Sequence, residues 1–407
     1  MQCRFCNQPL QCRFLSLGSS PLSNSYLTKE QLHQKEIFYP LEVYICESCF
    51  LVQLQEFETP ENIFGDYAYF SSYSDTWLEH AKDYVDQMMS VFGIGIRSYV
   101  VEIASNDGYL LQYFAKRRIP VLGIEPARNV AEVAKRKGIP TEVVFFGTQT
   151  AKRLASEGKS ADLLLGNNVL AHVPDLNDFV EGLKILLKPQ GVITMEFPHL
   201  LRLMEETQFD TIYHEHFSYF SFLTVERIFD AHGLTLFDVE ELPTHGGSLR
   251  IYACHTEDRT KLVGERVHQL KRKETEAGYT DIRHYLGFQD KVKAIKRDIL
   301  KFLIQAKEDH RRIVGYGAPA KGNTLLNYCG IRTDFIDYTV DRNPYKQGRF
   351  LPGSHIPIED PNKVKETKPD YLFILPWNLK DEIMEQMAFI RQWGGKFVIP
   401  IPKIEVI

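Results

Sequence analysis

Ser98-Tyr-Val-Val-Glu-Ile-Ala-Ser-Asn-Asp-Gly-Tyr-Leu110 decides the fold. Its first half is the apolar run of a buried strand, and its polar second half turns at Gly108 into a helix. A single glycine with acidic neighbours is not a dinucleotide loop, which needs three glycines for close approach to a pyrophosphate. Upstream, the pattern around Thr76-Trp-Leu-Glu-His-Ala81 is helical. Downstream, β-rich runs recur at Pro120-Val-Leu-Gly-Ile-Glu125, Thr141-Glu-Val-Val-Phe-Phe146, Ala161-Asp-Leu-Leu-Leu165 and Gly191-Val-Ile-Thr-Met-Glu196. Helical patterns such as Ala127 to Lys137 and Leu176 to Lys188 lie between them, and this alternation predicts βαβ units around a parallel sheet. After a helix near Thr224-Val-Glu-Arg-Ile-Phe229, Leu234-Thr-Leu-Phe-Asp-Val239 and Ser248-Leu-Arg-Ile-Tyr-Ala253 follow with no helix between them. They are expected to pair as an antiparallel hairpin.

Around this α/β core the 407 residues separate into three blocks: 1–75 with cysteine pairs and short aromatic-rich strands, 76–255 with the alternation above, and 256–407. The last block begins with charged helices, where Phe288, Val292, Ile295, Ile299, Phe302 and Leu303 mark one apolar face. It then reads as a second Rossmann-like unit from Arg312-Ile-Val-Gly-Tyr-Gly317 onward. Composition is globular, 44% hydrophobic and 25% charged, which excludes disorder and coiled coil. The 48 basic and 53 acidic residues give a net charge of −5 without a basic block, which argues against a nucleic-acid polymer as partner. No apolar run approaches the ~20 residues of a membrane span. Met1-Gln-Cys-Arg-Phe-Cys6 lacks the apolar core of a secretory leader, so the expectation is a cytoplasmic protein.

Four of the seven cysteines form two pairs, Cys3-x2-Cys6 and Cys46-x2-Cys49. Each pair places two thiolates on one tetrahedral edge, and two pairs close a four-sulfur zinc site with no open position, hence structural. Cys12, Cys254 and Cys329 read as core or partly buried thiols. Glu102 and the loop Ser105-Asn106-Asp107-Gly108 suit S-adenosylmethionine, whose amino-acid end asks for acidic side chains and backbone groups. Glu125 ends the next strand, where a carboxylate can accept both ribose hydroxyls. Gly166-Asn-Asn-Val-Leu-Ala-His172 follows the fourth strand at the carboxyl edge, where ligands bind. Tyr213-His-Glu-His-Phe217 is the densest acid/base cluster; two histidines two residues apart make a poor metal set, whereas His with Glu and Tyr suits proton abstraction beside a carbonyl. Gly315-Tyr-Gly-Ala-Pro-Ala-Lys-Gly322 joins a strand to a helix, and its small residues with Lys321 fit phosphate better than nicotinamide chemistry.

Taken together these residues resemble the S-adenosylmethionine-dependent C-methyltransferases of nucleotide-linked ketosugars, along essentially the whole chain. The resemblance runs through the four cysteines, Tyr67-x-Tyr-x-Ser-Ser-x-Ser, Glu102-Ile-Ala-Ser-Asn-Asp-Gly, Glu125-Pro126, Asn167-Asn-Val-Leu-Ala-His, Tyr213-His-Glu-His, Thr244-His-Gly-Gly-Ser-Leu-Arg and Gly315-Tyr-Gly-Ala-Pro-Ala-Lys. Five parallel strands ending in a hairpin is likewise the class I methyltransferase layout. Ala104 stands where many relatives have Gly, a mild variation. The resemblance implies a zinc domain (1–75), a methyl-donor domain (76–255) and a nucleotide-sugar domain (256–407). It implies a dTDP- or GDP-linked 4-keto-6-deoxyhexose as substrate, methylated at C3′ through an enolate in branched deoxysugar biosynthesis, by a monomer or small homo-oligomer. His216 is the implied base, with Glu215 orienting or relaying, Tyr213 and His172 facing the enolate oxygen and sugar hydroxyls, and Tyr67 (or Tyr69) in support. Glu102, Ser105, Asn106, Asp107, Gly108, Glu125, Pro126, Asn167 and Asn168 are the implied cofactor residues. Asn168, His172, His245, Gly246, Gly247, Ser248, Gly317 and Lys321 are the implied substrate residues. An O- or N-methyltransferase would share the cofactor motifs without needing an enolising base.

Overall fold

A computed structural model describes residues 1–59 and 71–407. The stretch holding Tyr67 and Tyr69 lies outside the described residues.

Among the described residues three sheets organise the chain. The first begins with β1 (Cys12–Ser20), β2 (Tyr39–Ile45) and β3 (Val52–Leu54), paired antiparallel. The long span between the cysteine pairs thus returns through packed strands: Leu15, Leu17, Val43 and Ile45 alternate inward and are buried.

The central sheet uses β4 (Val100–Ile103), β5 (Val121–Ile124), β6 (Thr141–Glu142), β7 (Ala161–Asn167) and β8 (Leu187–Pro198). A short strand β9 (Ser218–Tyr219) then leaves to pair with β3, and β10 (Leu234–Leu242) and β11 (Ser248–His255) complete the sheet. Its order is β10-β11-β8-β7-β4-β5-β6, with β4 to β8 parallel and β11 antiparallel to both neighbours. This is the class I methyltransferase arrangement expected from the strand–helix alternation. The strand order reverses between the parallel neighbours β4 and β7, so the loops after these two strands open onto the crevice where α/β sheets bind ligands.

The expected third strand is shorter than its apolar pattern, ending at Glu142 rather than Phe146. β6 is an edge strand whose partner β5 ends at Ile124, opposite Glu142, and Val143 and Phe145 beyond it are exposed. The helix expected from Leu176 ends at Leu186, where β8 begins.

The third sheet contains β12 (Ile313–Tyr316), β13 (Thr339–Val340), β14 (Ile358–Glu359), β15 (Tyr371–Ile374), β16 (Lys396–Ile399) and β17 (Glu405–Val406), in the order β14-β13-β12-β15-β16-β17. All neighbours are parallel except the terminal β17. The charged stretch before it forms the helices Glu265–Glu276, Ile282–Leu286 and Phe288–Glu308. The last of these turns Phe288, Val292, Ile299 and Leu303 inward, and Phe288 stacks on Phe14 of β1 at 5.0 Å. It lies between the first sheet and the third, whose apolar residues form one continuous core. Among the described residues no helix is long and apolar enough to cross a membrane.

Candidate active site

Cys3, Cys6, Cys46 and Cys49 converge, with their Sγ atoms all within 4.8 Å of one another. Cys3 and Cys49 are 3.6 Å apart, and Cys6 and Cys46 are 3.4 Å apart. The Cys49 thiol's hydrogen bond draws Cys3 well below the ordinary thiol value and pushes Cys49 correspondingly up. Sulfurs this close cannot all carry charge without a cation between them, and a tetrahedral set of four fits zinc. The buried Gln53 supports the site by donating from Nε2 to Cys3 Sγ at 3.2 Å.

At the carboxyl ends of β4 and β5 lie the residues expected to hold the methyl donor. Ala104, Asn106 and Gly108 have φ of +56°, +49° and +74°. These left-handed turns fold the loop back beneath the strand ends. Glu102 is fully buried; desolvation, with Glu125's charge adding, pushes its carboxyl well above the usual range. Glu125 is raised to about 7 by burial, opposed by the Ala127 and Asn106 amides it accepts at 2.8 and 2.9 Å. Pro126 follows it, half-buried. Asp107 is engaged by Lys137 Nζ at 3.0 Å. Ser105 Oγ lies so close to Gly123 that a Cβ there would be 2.3 Å away, which explains the glycine in β5. Asn167, at the end of β7, is buried, and among the described residues neither of its amide atoms has a hydrogen-bond partner. An orphaned amide and a buried carboxyl facing this crevice fit a polar, cationic amino-acid moiety, as S-adenosylmethionine carries.

Beyond β7 the acid/base groups meet. His172 ends a 3₁₀ turn, and its ring lies 4.7 Å from that of His216, approaching edge-on. His216 Nδ1 lies 2.9 Å from the Thr211 carbonyl, and Nε2 lies 2.8 Å from the Tyr213 hydroxyl. A carbonyl only accepts, so Nδ1 carries the proton and Nε2 accepts from Tyr213. Burial, with His172 adding, holds His216 well below the ordinary imidazole value; burial, opposed by a hydrogen bond to the Glu215 backbone, lowers His172 to about 4. Both are therefore neutral near pH 7. His214 turns the other way, toward the Pro40 carbonyl at 3.2 Å, between Tyr39 and Phe57. Glu215 is buried and accepts from Asn24 Nδ2 at 2.7 Å. Asn24 Oδ1 in turn accepts from Tyr26, whose hydroxyl also reaches the Ala318 carbonyl at 2.6 Å.

His245 enters from the turn between β10 and β11, with φ of +56° and Nε2 accepting from Asn168 Nδ2 at 3.0 Å. Burial, with Lys321 adding, lowers it to about 4. Gly246 and Gly247, at φ +90° and +117°, make this turn possible: a Cβ on either would come within 2.5 Å of Trp377 or 2.6 Å of Arg202. Ser248 closes the turn by donating to the Thr244 carbonyl at 2.9 Å. Beneath it, the buried Glu196 is held down to about 2 although burial alone would raise it; His80, Arg250 and Thr244 all bond to it.

Lys321, on the helix Ala320–Cys329, donates to Asn378 Oδ1 at 2.8 Å and lies 4.6 Å over the Trp377 ring. Burial lowers its ammonium to about 8 against the charge of Asp210, itself raised to about 6 by burial and bonded to the Trp377 indole at 2.7 Å. Its charge is felt at both His216 and His245. Gly317, at φ +88°, packs on Pro376, and the neighbouring Ala318 amide is taken by Asp341 Oδ2 at 2.8 Å. The sequence motifs therefore approach one another: His172 and Tyr213 contact His216, Asn168 contacts His245, and the charges of His245 and Lys321 are felt at His216. Sequence reading missed Asn24, Asp210, Trp377 and Asn378, single polar or aromatic residues outside any motif. The only trace was the position of Asn378 and Trp377 just after an apolar strand, at a carboxyl edge.

The sequence matches known proteins along its length. A family model described as C-methyltransferase C-terminal domain matches residues 243–402, a zinc binding domain model matches 3–64, and a methyltransferase domain model matches 77–239. The C-methyltransferase NovU of Streptomyces niveus is 34% identical over 406 residues, spanning 100% of this chain and 96% of NovU. A ubiquinone biosynthesis O-methyltransferase of Bartonella tribocorum is 32% identical over 95 residues, which cover 23% of this chain and 38% of that protein. Among solved structures, the magnesium protoporphyrin IX methyltransferase of Synechocystis PCC 6803 with bound SAH aligns with 48% of this chain and 92% of its own, at 16% identity and TM-score 0.36. The full-length match, the three family models and the sheet order agree: the chain belongs to the C-methyltransferase family, as an S-adenosylmethionine-dependent enzyme with a four-cysteine zinc-binding domain.

Proposed function

We propose that this enzyme methylates C3′ of a nucleoside-diphosphate 4-keto-6-deoxyhexose, through an enolate, in branched deoxysugar biosynthesis. The nucleotide is dTDP or GDP, and the enzyme acts in the cytoplasm as a monomer or small homo-oligomer. The observation that carries this reading is the buried, neutral His216, with Nε2 as an acceptor in contact with Tyr213 and His172 close by.

A ketone acidifies the adjacent C–H, but deprotonation still needs a positioned base and a stabilised oxyanion. His216 Nε2 takes the C3′ proton, and the C–H electron pair moves into the ring toward the carbonyl oxygen. The single lone pair of Nε2 is available for this once the Tyr213 hydroxyl turns from Nε2 to the ketone oxygen, where it donates to the developing enolate. His172 and His245 offer further polar contacts to the sugar. Glu215, tied to Asn24, holds the segment that carries the base. S-adenosylmethionine, when bound, would supply an electrophilic methyl on a sulfonium, and Glu102, Glu125 and Asn167 would hold it. Gly317 and Lys321, in the C-terminal block, hold the diphosphate, and the three blocks divide the work at residues 75 and 255.

The test is wash-out of the C3′ proton. A nucleotide 4-keto-6-deoxysugar is incubated with enzyme in deuterated water without methyl donor and followed by NMR. Exchange at C3′ is the expected result, and mass spectrometry with donor added should show one extra methyl on carbon. Methylation without any exchange would support an O- or N-methyltransferase instead.

A further inference from the structure

We propose that Arg4 is a positioning residue for the two active-site histidines, and that through it the zinc knuckle sets their separation. Arg4 lies between the ligands Cys3 and Cys6, where a side chain is needed by neither zinc chemistry nor the turn. Its backbone N–H donates to Gln53 Oε1 at 2.9 Å, and the same Gln53 donates to Cys3 Sγ, which ties its placement to the metal site. Its guanidinium then leaves the knuckle altogether. Nη1 donates to the Pro174 carbonyl at 3.2 Å, Nη2 donates to the Leu54 carbonyl, and the group lies 5.4 Å over the Phe217 ring.

The Pro174 and Phe217 contacts fall on the two segments that deliver the histidines, and the Leu54 contact falls on β3 beside them. Pro174 lies two residues beyond His172, and Phe217 directly follows His216. Phe217 N–H donates to the Ala171 carbonyl at 2.7 Å, and Leu54 N–H donates to the Phe217 carbonyl at 2.9 Å. The fork of the guanidinium therefore braces the junction of β3, the turn after β7 and the strand entering β9. The knuckle is anchored on the same side by Asn177 Nδ2, donating to the Phe5 carbonyl at 3.0 Å. A planar guanidinium can hold two carbonyls and an aromatic face at once, and a lysine ammonium cannot match that geometry. The inference rests on the assignment of His172 and His216 to the active site.

The test uses full-length, zinc-loaded protein with isotopically labelled histidines, as wild type, R4K, R4M and the control R13K, in which an exposed surface arginine is changed. Signals of His172 and His216 are assigned from H172N and H216N. The expected result is that both signals move in R4K and R4M but not in R13K, with zinc content and S-adenosylmethionine affinity unchanged. C3′ exchange on the nucleotide ketosugar should fall on the order of 100-fold in R4K and R4M, the scale of an ångström-sized misplacement. Unmoved histidine signals would overturn the proposal. Loss of zinc in both R4K and R4M would also overturn it, by assigning Arg4 to the knuckle alone. Moved signals with no exchange even in wild type would support the positioning role and reject the ketosugar as substrate, so the two readings fail separately.

Discussion

The hydroxyl of Tyr213 donates to Nε2 of His216 at 2.8 Å while Nδ1 of the same ring donates to the Thr211 carbonyl at 2.9 Å. This pair of bonds sets the tautomer, with the proton on Nδ1 and the acceptor lone pair of Nε2 directed at the Tyr213 hydroxyl.

Replacing His216 by Asn keeps a polar group of similar reach but removes the base. Turnover is expected to fall at least ~10²–10⁴-fold, the usual contribution of general acid–base catalysis, with donor affinity near wild type by calorimetry. The pH profile follows from the same burial. A base works when deprotonated, and His216 is held below the ordinary imidazole value, so kcat at saturating donor should stay level as pH falls through 6.5 and decline only below it. An acid limb centred at or above 6.5 would rule out His216 in this environment.

Glu125 titrates with the opposite sense. Burial raises its carboxyl to about 7, and a carboxylate accepts ribose hydroxyls better than a neutral acid does. Donor affinity should therefore weaken as pH drops below 7, approaching about tenfold per pH unit if this group alone controls binding. E125Q should flatten that dependence and weaken binding by about 1.5–3 kcal/mol, the value of hydrogen bonds to a charged group. Titration calorimetry between pH 5.5 and 8.5, a range spanning roughly one and a half units either side of the expected midpoint, reads both effects.

Cys46→Ser with Cys49→Ser removes one full edge of the sulfur tetrahedron. The double variant should release its zinc, read by a chromogenic chelator, and lower the melting temperature, because structural zinc contributes directly to folding. It should also lose turnover, since β3, which follows Cys49, pairs with β9 two residues beyond His216. Full zinc content in the variant would refute the ligand assignment.

Ala104 occupies a left-handed conformation at φ +56°. That costs a non-glycine residue about 1–2 kcal/mol, against about 0.5–1 kcal/mol of chain entropy that glycine would add to the unfolded state. A104G is thus expected to stabilise by up to about 1 kcal/mol in chemical denaturation, with donor affinity retained. Destabilisation by A104G would show that the alanine methyl contributes packing that outweighs its strain.

Much of this protein is readable from local pattern. The strand-then-turn of residues 98–110 announced a ligand loop at the end of a buried strand, and β4 and the Ala104–Gly108 turn lie there. The two CxxC pairs predicted a sulfur cluster, and the four sulfurs meet. The absence of a helix between Leu234–Val239 and Ser248–Ala253 predicted the hairpin seen between β10 and β11. The strand at Thr141 was over-extended because an apolar run reports a tendency to be buried, whereas β5, the partner of this edge strand, ends opposite Glu142.

What the sequence determined by itself is therefore chemistry at short range: which residues turn inward, where a strand gives way to a loop, and which thiols share a turn. Only the tertiary structure decided which of these meet. Asn24 reaches Glu215 across 191 residues, and Arg4 reaches Pro174 across 170. Lys321, from the C-terminal block, lies close enough to bias His216. Periodicity records burial along one element at a time, whereas such pairings depend on how whole elements stack and leave no periodic trace in either segment.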